Sequence, residues 1–136
     1  MKRIIFGVLG GLVTGIILIG LIESYAHKLY PPPVGSDFNN KEALKEMMLN
    51  MPVGAYLSIL AAYIVGAFGG GVVATLIDKS GNYLPALIVS GLLLLAGIAN
   101  FAMLPHPVWF MIISSFCYPV FGVAGAWVVK KFQARN

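Results

Sequence analysis

The sequence predicts an all-α membrane protein: four transmembrane helices in a compact bundle, plus a short amphipathic helix on the outer face. Three observations carry that expectation. Apolar residues make up 59% of the 136 residues and charged residues only 10%, where a soluble domain carries roughly a quarter charged. Four stretches without any charge, residues 4–22, 53–77, 83–104 and 108–129, each match the roughly 20 residues that a helix needs to cross a hydrocarbon core. Between the first two lies a polar segment, 23–52, that contains its own helical pattern. A small soluble fold leaves too much surface exposed to hide so much apolar area, and the mean hydropathy of +0.87 fits lipid as the solvent. The whole chain, 1–136, reads as a single transmembrane domain.

The first span opens after Lys2 and Arg3 and runs uncharged to Ile22. Ser24-Tyr25-Ala26 offers small residues of the kind found at signal cleavage sites, but the apolar run exceeds the usual 7–15-residue signal core. The expectation is a retained span. The outer loop begins with Glu23, His27 and Tyr30-Pro31-Pro32-Pro33, a stiff polyproline-like stretch. Residues 39–51 then predict an amphipathic helix. Asn39 is placed to cap it, Glu42 follows three residues later, and Phe38 can staple to Ala43. Leu44, Met47, Met48 and Met51 share one face, with Lys41, Glu42, Lys45 and Glu46 largely opposite. Such a helix suits the membrane interface or a cap on the bundle, or presentation to a partner.

The second span ends at a Lys79-Ser80-Gly81-Asn82 sequence that predicts a tight turn. The third and fourth are separated only by Pro105-His106-Pro107, where two prolines remove backbone donors and force an extended turn. Met51-Pro52-Val53 and His106-Pro107-Val108 open the second and fourth spans alike, which suggests two equivalent hairpins.

Basic residues set the expected direction. With both termini in the cytoplasm, that side holds Lys2, Arg3, Lys79, Lys130, Lys131 and Arg135, and the other holds Lys28, Lys41 and Lys45. The excess inside favours both termini cytoplasmic in the cell (inner) membrane, with loop 23–52 on the outer face. The net charge of +4 forms no basic stripe, so nucleic acid is not an expected partner. The expected partners are the lipid bilayer and either a membrane protein or further copies of the chain.

Small residues four apart let helix backbones approach in lipid, where the hydrophobic effect gives little drive for helices to associate. Gly7, Gly11 and Gly15 form such a ridge in the first span, Ala62, Gly66, Gly70 and Ala74 in the second, and Gly122 and Ala126 in the fourth. These ridges predict close packing of the first, second and fourth spans, within one chain or between chains.

Few residues offer chemistry. Glu23 and His27, four apart, share a helical face if the first helix continues past Ile22. His106 falls on the same outer side, and Asn100 lies a turn below it. The titratable candidates at the span edges are thus expected on one side, as a candidate outer-face polar site of Glu23, His27, His106 and Asn100. Glu23, His27 and His106 are residue types that suit a divalent metal, and two histidines are able to ligate a haem. No metal motif such as HExxH is present, so no cofactor is predicted. The competing reading makes Glu23 and His27 a helix end, His106 a turn residue, and Trp109, Tyr25 and Tyr30 an aromatic belt. Cys117 stands alone and reads as a packing residue. Ser114, Ser115 and Thr75 are expected to bond back to their own helices. Neither a nucleophile–base pair nor a phosphate loop occurs, which argues against an enzyme.

The layout LIESYAHKLYPPP, an acidic–basic amphipathic segment and then LPHPVWF resembles a group of uncharacterised small bacterial four-span integral membrane proteins. The resemblance covers nearly the whole chain and implies a four-helix membrane fold, with no known activity and no site residues to carry over. In size and span number the chain also resembles small multidrug transporters. Those carry an essential glutamate deep in the first helix, whereas Glu23 lies at its end, which counts against drug export. The functional expectation is a small non-enzymatic membrane protein, a structural or accessory subunit or homo-oligomer. The alternative is a small transporter or a ligand- or metal-binding protein using Glu23, His27 and His106.

Overall fold

A computed structural model describes residues 1–135. The chain forms five helices: α1 (Lys2–Leu29), α2 (Lys41–Leu49), α3 (Val53–Asp78), α4 (Leu84–Met103) and α5 (Val108–Gln133). All but α2 are long and apolar enough to cross a membrane. No strand occurs among the described residues. The long helices alternate in direction, so both ends of the chain and the 79–83 turn share one end of the bundle, the terminus end. The 30–52 segment and the 104–107 turn share the other, the loop end.

α3 lies at the centre. It packs against α1, α4 and α5, while α1 and α5 do not touch each other. Its contact with α1 is made backbone to backbone. A Cβ added to Gly7 would sit 2.7 Å from the Ala74 carbonyl oxygen, and one added to Gly11 would sit 2.5 Å from that of Gly70. At Gly15 it would lie 3.1 Å from the Gly66 oxygen, so the antiparallel register repeats every four residues. The opposite side of α3 does the same against α5, where Gly71 meets the Gly122 carbonyl and Gly125 the Phe68 carbonyl too closely for any side chain. Every small residue of the ridges seen in the sequence is buried: Gly7, Gly11, Gly15, Ala62, Gly66, Gly70, Ala74, Gly122 and Ala126. α1 and α5 thus each pack on α3, rather than all three meeting together.

α4 fills the groove between α1, α3 and α5. Gly11 meets Val89 and Gly15 meets Leu93, so α1 and α4 run in parallel. Hydroxyls in the apolar helices are satisfied locally, as expected. Thr75 donates to the Gly71 carbonyl at 2.8 Å, Ser90 to Ala86 at 2.7 Å, Ser114 to Phe110 at 2.6 Å and Ser115 to Met111 at 2.7 Å. Cys117 is a buried free thiol.

Two boundaries differ from the sequence reading. α1 continues past Ile22 to Leu29, because a main chain in an apolar setting keeps its helical hydrogen bonds until something removes a donor. Pro31 is that element, and it also disfavours helical geometry at Tyr30. α2 is capped by Asn40, not Asn39. The Asp37 carboxylate accepts the Asn39 amide at 2.9 Å, turning the chain one residue early, and Asn40 Oδ1 then accepts from the Glu42 and Ala43 amides at 3.0 and 3.4 Å. Phe38 remains exposed and does not act as a buried staple. Pro52 and Pro107 stand at the N-caps of α3 and α5 with nearly equal dihedrals, φ −63°, ψ 146° and φ −60°, ψ 141°.

Gly11→Leu is expected to force α1 off α3 and lower stability by about 1–3 kcal/mol. Gly91→Ala is the matched control: nothing lies within 4 Å of its Cβ position, so the control should melt at or slightly above the wild-type temperature. Thermal unfolding in mild detergent compares the two.

Candidate functional site

The candidate site lies at the loop end, where the α1–α4 register brings Glu23 level with Asn100 and Phe101. Glu23 is half-buried within the extended α1. It lies close enough to Tyr63 and Tyr118 to act on both electrostatically, and Asn100 adjoins Tyr63. Tyr63 and Tyr118 are both buried, and their rings stack with centroids 5.1 Å apart. Gly97 makes room for this pair: a Cβ there would come 3.1 Å from the Tyr118 hydroxyl. A carboxylate, an amide and two phenols therefore lie near one another within the bundle. The two tyrosines were not singled out from the sequence, because a tyrosine in an apolar run reads equally as core or interface.

His106 takes a different environment. Its ring stacks on Phe110 at 5.4 Å and meets Phe101 edge-on at 5.2 Å and Tyr56 at 6.4 Å. Phe110 is completely buried at the centre of this cluster and also touches Tyr63 at 6.1 Å. The His106 Nδ1 lies 2.8 Å from the Leu104 carbonyl. A carbonyl only accepts, so Nδ1 carries the hydrogen and Nε2 is left as an acceptor. Burial among the aromatic rings lowers the His106 pKa from 6.5, and the bond to Leu104 opposes that in part. The imidazole is therefore neutral near pH 7.

His27 lies on the exposed side of α1, one turn beyond Glu23. The metal set of Glu23, His27 and His106 read from the sequence is thus not assembled. His27 is exposed and borders a cavity at the loop end, while His106 is turned into the aromatic cluster. No group of three His, Cys, Asp or Glu side chains placed to hold a metal occurs among the described residues. Glu23, His27 and His106 do share the loop end, but another titratable group at a span edge lies at the opposite end. Asp78, at the far end of α3, is 2% exposed.

At the loop end, α2 is anchored to α3 through Met48. Met48 is buried, and the buried Tyr56 hydroxyl donates to the Met48 carbonyl at 2.6 Å. Tyr30 closes the other side by lying directly over Gly54. Between these two ties is a cavity of about 1020 Å³. Its walls include Pro31, Leu44, Met47, Met48, Met51 and Leu104, with His27 and Asn50 among its few polar groups. The amphipathic face expected of residues 39–51 thus lines one side of a half-open, largely apolar cavity. No protein-family model, curated protein or solved structure matches this chain.

Two outcomes are expected. Tyr56→Phe should cost about 1–2 kcal/mol through loss of a buried hydrogen bond, and should speed proteolytic cleavage in the 30–52 segment. Because the folded state holds His106 neutral below its ordinary pKa, the unfolded chain binds the proton more readily. The stabilisation is complete above pH 6.5 and falls as the pH drops below that value toward the folded pKa. A His106→Gln variant should flatten this part of the profile of melting temperature against pH.

Proposed function

We propose that this chain is a small, non-enzymatic integral membrane protein that holds a lipid-type molecule at its loop end. The cavity of about 1020 Å³ beside α2 carries the reading. It is at the upper end of the volumes that enclose small ligands, and such sites pair apolar walls with a few polar groups that orient the guest. The methionines at 47, 48 and 51 give it adaptable, polarizable walls suited to a flexible chain rather than a rigid solute. It opens where four membrane-length helices end, so the guest is drawn from the leaflet with its apolar chain in the cavity and its polar end near His27 and Asn50.

In this reading both termini are cytoplasmic, the loop end faces outward and the membrane is the cell (inner) membrane, in keeping with the distribution of Lys and Arg. The small-residue ridges that favoured self-association are occupied within one chain, so they lend no weight to an interface between copies. Glu23, Tyr63, Asn100 and Tyr118 form a polar layer beneath the chamber, which in this reading keeps the bound chain from sinking between the helices.

The test is saturable binding of a fluorescent fatty acid to the purified protein in detergent. Filling the chamber with Leu44→Trp and Met47→Trp should weaken binding about tenfold. Leu95→Trp, at a position on the lipid-facing side that is 64% exposed, should leave it unchanged. Non-saturable uptake, equal in all three proteins, would refute the proposal.

A further inference from the structure

The terminus end contains a second pocket, of about 460 Å³, lined by Met1, Lys2, Arg3, Ile4, Asp78 and Ser80. Its unusual member is Asp78, the last residue of α3. The carboxylate is 2% exposed. One oxygen, Oδ2, accepts from the backbone amide of Ser80 at 3.2 Å and from the Ser80 hydroxyl. The other, Oδ1, is buried without a hydrogen-bond partner among the described residues. Asp78 is packed against Gly7, where an added Cβ would lie 3.4 Å from the Asp78 Cβ. A buried carboxylate oxygen left unpaired is costly, so the arrangement points to a donor that joins it when the site is filled.

The charges around the pocket narrow the class of that donor. Lys2 and Arg3 place positive charge at the mouth, with the single carboxylate behind them. A bare divalent cation finds one carboxylate and a repelling rim. A simple anion is attracted by the rim and repelled by Asp78. A zwitterion that has an ammonium N–H group and a phosphate a few bonds apart satisfies both. Such headgroups also lie at the depth where membrane-length helices end.

We propose that this pocket binds the headgroup of a primary-amine phospholipid, with the ammonium donating to Asp78 Oδ1 and the phosphate held by Lys2 and Arg3. Discrimination comes from hydrogen-bond chemistry. A primary ammonium presents three N–H donors to Oδ1, whereas a quaternary ammonium presents none and is bulkier. The site is independent of the chamber at the loop end, which involves none of these residues.

The experiment is native mass spectrometry of the full-length protein after exchange into an equimolar mixture of phosphatidylethanolamine, phosphatidylcholine and phosphatidylglycerol. The ethanolamine lipid should be retained about tenfold over the choline lipid, the scale of one charge-assisted hydrogen bond. Retention should fall stepwise through the mono- and dimethylated headgroups, a series that needs no variant and so does not depend on a mutant folding. Asp78→Asn keeps the shape and the acceptor for Ser80, and it should abolish the preference. Lys2→Gln with Arg3→Gln should lower retention of all three lipids. Equal retention of the ethanolamine and choline lipids, or a preference that survives in folded Asp78→Asn, overturns the proposal. So does preferential retention of phosphatidylglycerol, which would make the basic residues alone sufficient. Binding of free O-phosphoethanolamine as tight as that of the lipid would assign the site to a soluble solute and overturn the lipid assignment.

Discussion

The rest of the structure depends on how closely α3 approaches its two neighbours. In an apolar solvent, burying Leu or Ile against another helix gains little over leaving it in lipid, so close van der Waals contact has to supply the association. Here that contact is made by backbone. Gly7, Gly11 and Gly15 of α1 lie on the carbonyls of Ala74, Gly70 and Gly66, and Gly122 of α5 lies on Gly71 from the other side. With no side chains between them, these helices have one register each. The four-residue repeat of contacts fixes both the depth and the rotation of α1 relative to α3. A shift by one residue would set Cβ atoms, such as those of Phe6 and Thr14 or of Val8, Leu12 and Ile16, against carbonyl oxygens of the seam.

Placement of the polar groups follows from that register. Carried upward, it sets Glu23 level with Asn100 of α4 and within electrostatic range of Tyr63 and Tyr118. Carried downward, it places Gly7 beside Asp78 and brings the start of α1 over the end of α3. The same seam therefore organises a polar layer near one end and a charged pocket at the other. The two ends are closed differently. At the loop end the closure is aromatic and apolar, with His106, Phe110, Tyr56 and Phe101 packed together and the Tyr56–Met48 hydrogen bond tying α2 to α3. At the terminus end it is a tight turn with Lys79 in the left-handed region at φ 55°, held by the Lys130 ammonium over the Tyr83 ring at 3.6 Å.

This contrast bears on what each end is able to recognise. The chamber at the loop end has mostly hydrocarbon walls, Met-rich on one side, so it selects by shape and apolar area, with little chemical discrimination. The pocket at the terminus end is small and alternates in charge, so it selects by hydrogen bonding and sign. Contacts of the first kind tolerate variation in the guest. Those of the second kind reject any headgroup that leaves the Asp78 oxygen unpaired.

Much of the fold was legible in the sequence because it rests on local rules. Uninterrupted apolar runs of membrane length, prolines at 31, 52, 105 and 107 that end or start helices, and small residues every fourth position are visible without knowing any tertiary contact. So is the return of Ser and Thr hydroxyls to their own helix. The amphipathic stripe of Leu44, Met47, Met48 and Met51 was also legible, though not that it would line a half-open cavity. Only the tertiary structure decided where the polar groups face. Glu23, His27 and His106 lie at one end of the bundle by topology alone, yet His27 is exposed beside the cavity and His106 is turned onto Phe110. Asp78, at the edge of an apolar run, carries no mark in the local pattern and is buried. Sequence periodicity fixes which residues share a face of a helix. The rotation of that face toward a neighbour or toward lipid is set by the glycine–carbonyl contacts between helices, and those exist only once the bundle has formed.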